Sequence, residues 1–175
     1  MKKKPNVSLT PINRTDQKLI IDWRNSEEIF PYNNQYVLLN LETQLKWFKN
    51  MSNDPTRKFF IIRYGKTKVG VCGLINIDYV DKNADVSIII GRLELHGKGI
   101  GTIALNHILE YGFKKLHLHR IGAEIMEFNH ASIRLFEKSN FKKDAIFRQK
   151  IWRKNKWWNM IYMSIIKNEF KNYLK

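Results

Sequence analysis

The residues best suited to chemistry in this chain are glycines. His96-Gly97-Lys98-Gly99-Ile100-Gly101 follows an apolar run, Val86-Ser87-Ile88-Ile89-Ile90, which reads as a buried strand. It precedes residues 102–116, where Ile103, Leu105, Ile108, Leu109 and Phe113 recur at helical spacing. Backbone N–H groups between bare glycines, backed by the positive end of a helix dipole, attract phosphate. A phosphate-bearing ligand held by main chain is the first expectation. A Walker loop needs Gly, four residues and then Gly-Lys-Ser/Thr, whereas Lys98 lies between two glycines. A dinucleotide fingerprint needs Gly-x-Gly-x-x-Gly, whereas these run Gly-x-Gly-x-Gly. Both patterns fail. The plain alternative is a glycine-rich turn before an amphipathic helix.

The elements that must position this turn are legible on both sides of it. Residues 7–9 read as a first strand, and residues 16–23 as a helix with Leu19, Ile20 and Trp23 on one face. Residues 25–40 are irregular and aromatic, and residues 41–51 form a second helix with Leu41, Leu45 and Phe48 inward. After a turn at Asn53-Asp54-Pro55 come strands over residues 58–64, 67–79 and 84–90, the first two joined by a tight hairpin at Tyr64-Gly65-Lys66. Beyond the glycine turn and its helix follow a strand, residues 120–128, and a helix, residues 131–138. Residues 147–153 and 157–165 form a closing hairpin with Lys154-Asn155-Lys156 at its tip, and residues 167–175 a short terminal helix. This order predicts one mixed α/β domain over residues 1–175, with a mostly antiparallel central sheet and helices on both faces.

Composition supports a folded core: 43% of the residues are hydrophobic and 13% aromatic. No apolar run approaches the roughly 20 residues of a membrane helix. The basic start, Met1-Lys2-Lys3-Lys4-Pro5, leads into no apolar stretch, so no secretory signal and a cytoplasmic location are expected. The single cysteine, Cys72, sits among apolar residues and reads as a buried, inert thiol. No metal site is expected. The net charge of +15 invites a nucleic-acid partner. The lysines are dispersed among Asn and Ile, however, so neither nucleic acid nor membrane is expected as a partner. The same charge argues against a polycationic ligand in a basic cleft.

The glycine turn resembles the Gln/Arg-x-x-Gly-x-Gly/Ala signature of GNAT acyl-CoA transferases, with Gly99 and Gly101 in register and His96 replacing the usual Gln or Arg. A second stretch, from Asn129-His130-Ala131-Ser132 through Phe136-Glu137-Lys138 to Asn140-Phe141, resembles the family's Asn-x-x-Ser/Ala-x-x-x-Tyr-Glu-Lys-x-Gly-Phe segment. The resemblance implies the GNAT fold and acetyl-CoA as co-substrate. It implies that Ile88 and Ile90 pair with pantetheine. His96, Gly97, Lys98, Gly99, Ile100, Gly101 and Thr102 would form the diphosphate turn, and Asn129 would hydrogen-bond the pantetheine arm. It further implies direct acetyl transfer to an amine, whose proton must pass to a base or a water relay. The family's usual general acid is the tyrosine of the second motif; Phe136 stands there and cannot donate a proton. Three carboxylates are candidates for the base: Glu124, then Glu127, then Asp85. Alternation along the strand puts Ile121, Ala123 and Ile125 on one face and Gly122, Glu124 and Met126 on the other. For each acid the bland alternative is a solvated or salt-bridged group.

The front half, Asp22-Trp23-Arg24-Asn25, Leu45-Lys46-Trp47-Phe48-Lys49 and Arg57-Lys58-Phe59-Phe60, is similar to the UDP-4-amino-sugar N-acetyltransferases of pseudaminic acid biosynthesis, as is residues 123–129. That resemblance implies a nucleotide-sugar acceptor met by Arg24, Asn25, Trp47 and Arg153, with Lys49 near the diphosphate. The alternatives are a protein N-terminal acetyltransferase, whose relatives carry a segment like Leu118-His119-Arg120-Ile121, a polyamine acetyltransferase, and a basic binding module that has lost catalysis. The aromatic tail, Trp152, Trp157, Trp158 and Tyr162, reads as an apolar edge for a homodimer.

Overall fold

The computed structural model describes residues 6–171. The basic start and the last four residues of the expected terminal helix lie outside them. Seven strands form one sheet: β1 (Val7–Pro11), β2 (Lys58–Tyr64), β3 (Thr67–Asp78), β4 (Asn83–Ile90), β5 (Arg120–Met126), β6 (Lys142–Arg153) and β7 (Lys156–Ile166). Their order is β1-β2-β3-β4-β5-β7-β6. Every pairing is antiparallel except β4 with β5, which is parallel. The helices are α1 (Gln17–Asn25), α2 (Leu41–Ser52), α3 (Ile100–Glu110) and α4 (His130–Lys138).

Alternation divides the strands between two apolar layers. Ile62, Cys72, Leu74, Ala84, Val86, Ile121, Ala123 and Ile125 face α3, whose Ala104, Leu105, Ile108 and Leu109 are buried against them. The opposite face gives Ile61, Val71 and Ile89 to α1, through Ile20 and Trp23. Trp23 is 6% exposed and lies flat on Gly91, where an added Cβ would fall 2.1 Å from the indole ring. Only glycine lets α1 approach the end of β4 so closely. The Asn13 side chain caps the entry to α1, the Asn40 side chain caps α2, and a buried Gln44–Gln17 hydrogen bond of 2.9 Å joins the two helices.

Several boundaries differ from the sequence reading; β5 ends at Met126 rather than Phe128, so Glu127 lies in the turn that follows it. α3 starts at Ile100 rather than Thr102, because the left-handed Gly99 (φ 79°) turns the chain directly into the helix. Its continuation, Tyr111–Lys115, is a wider π turn. β6 starts at Lys142 rather than Phe147; Lys142, Lys143 and Asp144 are exposed on an edge strand, so no apolar alternation marks them. After β7 the described chain makes a short 3₁₀ turn, Lys167–Glu169. Among the described residues no helix is long and apolar enough to cross a membrane.

Candidate active site

The sheet opens at its one parallel pairing. β4 and β5 share three rungs, Asn83–Arg120, Ala84–Ile121 and Asp85–Gly122, and part after the last. Beyond it β4 stays paired with β3 and β5 with β7. Residues 86–90 therefore present one unpaired strand edge to a gap, a ready template for an extended ligand. Ile88 and Ile90 are half-buried here and pack toward the α3 layer. The Ile90 carbonyl is already used: the His96 ring meets it at 2.8 Å and ties the glycine turn to the strand.

That turn is shaped for an anion. Gly97 (φ 75°) and Gly99 (φ 79°) are left-handed, and a Cβ on either would meet nothing within 4 Å. Gly101 differs: its Cβ would sit in ordinary contact, 3.7 Å from Ile90 and from Leu135. No side chain caps α3, and the first bond of the helix is Ile103 N–H to the Gly99 carbonyl at 3.2 Å. The N–H groups of Ile100, Gly101 and Thr102 precede that bond, so they are helix-start donors without an intrahelical partner. Lys98 is exposed beside them. Across the gap, the Asn129 side-chain oxygen accepts from Ser132 N–H at 3.1 Å and caps α4, leaving its amide N–H groups as donors. Phe136 is 3% exposed and packs edge-on against Phe141, as a core aromatic does.

The three carboxylates have different surroundings. Glu124 is on the face opposite α3, in an ion pair with Lys150 of β6. Glu127 is clamped by Asn159, whose backbone N–H and side-chain amide donate to its two oxygens at 2.7 and 2.9 Å. Asp85 stands at the last shared rung and accepts from Asn76 at 3.0 Å and from the Tyr162 hydroxyl at 2.8 Å. Tyr162 belongs to β7, not to an exposed apolar edge. Its ring crosses β5 at Gly122, where a Cβ would lie 2.0 Å from the hydroxyl oxygen. The sequence reading missed this phenol because 77 residues separate it from Asp85; the one local signal is a glycine inside a strand.

Residues 6–142 match the family model described as Acetyltransferase (GNAT) domain. The chain belongs to the GNAT acetyltransferase family. An acetyltransferase PseH of Campylobacter jejuni subsp. jejuni (strain 81-176) is 25% identical over 137 residues, 77% of this chain and 82% of its own length. A spermidine N(1)-acetyltransferase of Vibrio cholerae is 24% identical over 168 residues, 95% of this chain and 96% of its own. The solved structure of the spermidine N-acetyltransferase from Vibrio cholerae in complex with CoA and spermine aligns with a TM-score of 0.87 at 23% identity, over 97% of this chain and 98% of that one. This GNAT protein is an N-acetyltransferase, and its acetyl donor is acetyl-CoA. The residues present fit that donor. Open glycines and free helix-start N–H groups suit a diphosphate, and an unpaired strand edge suits the amide-bearing pantetheine arm.

The expected acceptor residues do not all converge as free side chains. Asn25 is spent on the chain itself, bonding the Leu39 carbonyl at 2.8 Å and the Leu39 N–H at 2.9 Å. Trp47 packs edge-on against Phe59. Arg153 is 9% exposed; it donates to the carbonyls of Trp152, Asn33 and Asn34 and stacks over Tyr36, so it pins the loop after α1 to the β6–β7 hairpin. Lys49 lies elsewhere, in a groove of about 480 Å³ with Arg14 and Lys46. Arg24 is the exception. Its Nε is buried without a partner, and burial lowers the proton affinity of its guanidinium. Among the described residues no carboxylate pairs with it.

Proposed function

We propose that this enzyme, acting as a single domain, transfers the acetyl group of acetyl-CoA directly to the 4-amino group of a UDP-linked amino sugar. The turn from His96 to Thr102 holds the donor's diphosphate on main-chain N–H groups, with Lys98 adding charge. The β4 edge at Ile88 takes the pantetheine arm, and Asn129 donates to it from the far side of the gap. The amine enters from the face opposite α3.

Arg24 carries the acceptor reading. A guanidinium drawn into the protein with no carboxylate beside it is poorly placed next to a polycation and well placed next to a diphosphate. The three carboxylates near the gap are also engaged, Asp85 by Asn76 and Tyr162, Glu124 by Lys150 and Glu127 by Asn159. The PseH relative supports the sugar reading. A polyamine acceptor is the second reading, supported by the Vibrio relative named for spermidine, which aligns through the β6–β7 hairpin. Near the tip of that hairpin Trp152 and Trp157 are half-exposed and meet edge to face, 5.2 Å between ring centres, an apolar patch suited to a second copy of the chain.

Thiol release from acetyl-CoA, measured with a UDP-4-amino-4,6-dideoxy sugar, spermidine and a peptide N-terminus, separates the readings. The expected result is fastest turnover of the sugar nucleotide. Arg24→Met should raise its KM about tenfold, the worth of one charge-assisted hydrogen bond, with acetyl-CoA affinity unchanged. Faster turnover of spermidine or of the peptide overturns the sugar assignment.

A further inference from the structure

Four elements converge on one carboxylate at the point where β4 and β5 part. Asp85 opens the gap from β4. Asn76 reaches it from β3, out of a register shift between Ile75 and Asp78, and holds a left-handed φ of 52°. A bulge with a non-glycine residue at positive φ is a local cost that persists where something fixes it, and such features gather at functional sites. Tyr162 reaches Asp85 from β7 by lying across Gly122 of β5. Each Asp85 oxygen accepts one side-chain donor, so the carboxylate is held in one orientation. Arg120 lies over the Tyr162 ring, 5.2 Å from its centre; its Nη1 donates a long 3.4 Å hydrogen bond to the phenol oxygen and its Nη2 pairs with Asp144.

This cluster lies on the face of the sheet opposite α3, with Asp85 and Tyr162 partly exposed. Asp85, Gly122, Glu124 and Tyr162 share the face that turns away from α3, because their neighbours Ala84, Val86, Ile121, Ala123, Ile161 and Met163 all pack into the α3 layer. Helices α3 and α4 fill the other side, so an amine meets the thioester through the gap from the face where the phenol lies. Glu124 stands two residues farther along β5, about 7 Å by strand rise. Its charge is matched by Lys150, whereas the Tyr162–Asp85 pair has no cation directly on the carboxylate.

We propose that Tyr162 is the catalytic residue that takes the amine's proton, with Asp85 behind it as the group that positions the phenol and receives its proton. The nitrogen attacks the thioester carbon, and a C–N bond forms. The N–H bond breaks as its proton moves to the Tyr162 oxygen, while the original phenolic proton passes to Asp85. The tetrahedral centre collapses, the C–S bond breaks and the sulfur takes a proton from water. Asp85 returns its proton to water. The phenol is neutral before and after, which agrees with burial and the Asp85 contact raising its titration above the ordinary tyrosine range. This route needs no hydroxyl at position 136. It rests on acetyl transfer to an amine and is independent of which amine.

The test is thiol release from acetyl-CoA with the same sugar nucleotide, spermidine and peptide, read for Tyr162→Phe, Asp85→Asn, the double variant and Glu124→Gln, with CoA affinity from calorimetry. Tyr162→Phe keeps the ring and removes only the hydroxyl. The expected result is a fall in kcat of about a hundredfold for Tyr162→Phe and for Asp85→Asn, no further fall in the double variant, and CoA affinity within about twofold of the parent. Additive losses, or a loss confined to KM, reduce the pair to a structural tie and overturn the proposal. So does a fall in kcat for Glu124→Gln with Tyr162→Phe left at the parent rate. A parent chain that turns over none of the amines overturns this proposal together with the acceptor assignment, whereas turnover of spermidine alone overturns only the latter.

Discussion

Adding one methyl group at Gly99 or at Gly101 should have opposite effects, because the two glycines are retained for different reasons. Gly99 is left-handed at φ 79°, ψ 0°, the last residue before α3. Alanine there costs about 1–2 kcal/mol in backbone strain. A chain of this size loses about 2–4 °C of Tm per kcal/mol, so Gly99→Ala should melt roughly 2–8 °C lower. Gly101 is helical, and its Cβ would touch Ile90 and Leu135 at an ordinary 3.7 Å. Gly101→Ala should gain about 0.5–1 kcal/mol and melt roughly 1–4 °C higher. Ligand binding separates them further. A Gly99 Cβ would meet nothing within 4 Å, in the turn that leads into the helix-start N–H groups proposed to hold the diphosphate, and the strain it adds would shift that turn. Losing one charge-assisted hydrogen bond, about 1.5–3 kcal/mol, weakens CoA by about tenfold to a hundredfold. The Gly101 methyl points between β4 and α4, so CoA should bind it within about twofold of the parent. Differential scanning calorimetry and isothermal titration with CoA need no acceptor. Parent-like CoA affinity in Gly99→Ala, at a lowered Tm, would refute diphosphate binding at this turn.

Two further outcomes follow from close contacts elsewhere. Gly91→Ala drives a Cβ to 2.1 Å from the Trp23 ring, so either α1 or the end of β4 must move. It should cost about 1–3 kcal/mol and lower the Tm by roughly 2–12 °C; an unchanged melting curve would mean that the indole does not rest on this backbone. Cys72 is 1% exposed, and burial pushes its thiol well above the ordinary cysteine range. It should react with a disulfide reagent only after unfolding, so thiol release reports CoA alone; a fast stoichiometric reaction of the folded protein would contradict the packing of β3.

The elements were legible wherever one face of a segment is apolar and the other is not. The helix after the glycine turn carries that contrast, whereas the strand before it is marked by a continuous apolar run because both faces of the sheet are covered there, and the hairpin at Gly65 is marked by its turn residues. The misread boundaries lack any such mark. Lys142, Lys143 and Asp144 belong to an edge strand whose residues are exposed, so nothing in their types distinguishes strand from loop. The start of α3 was set by the conformation of Gly99, and glycine types leave φ open. The turn proposed for the donor stands out in the sequence for a related reason: it is made of main chain, and runs of glycine announce where main chain is bare.

The residues proposed for the acceptor are side chains that reach across the fold, and there residue type misleads. Arg153 carries a charge suited to a diphosphate, yet three backbone carbonyls and the Tyr36 ring occupy it. Asn25 has the donors and acceptors of a sugar-binding amide, yet both are spent on Leu39. Tyr162 has the composition of an apolar tail, yet its hydroxyl crosses one strand to reach another. What separates these cases is satisfaction. A polar side chain whose partners are all supplied by its own chain builds the site's walls, and one left with a buried unpaired atom has kept a place for something else. Arg24 meets the second condition through its Nε. Arg153 shares an unpaired Nε, but its terminal nitrogens already hold the loop at residues 33–34 in place. Replacing Arg153 should therefore loosen the loop at residues 33–34, whereas replacing Arg24 should change the KM of the proposed acceptor.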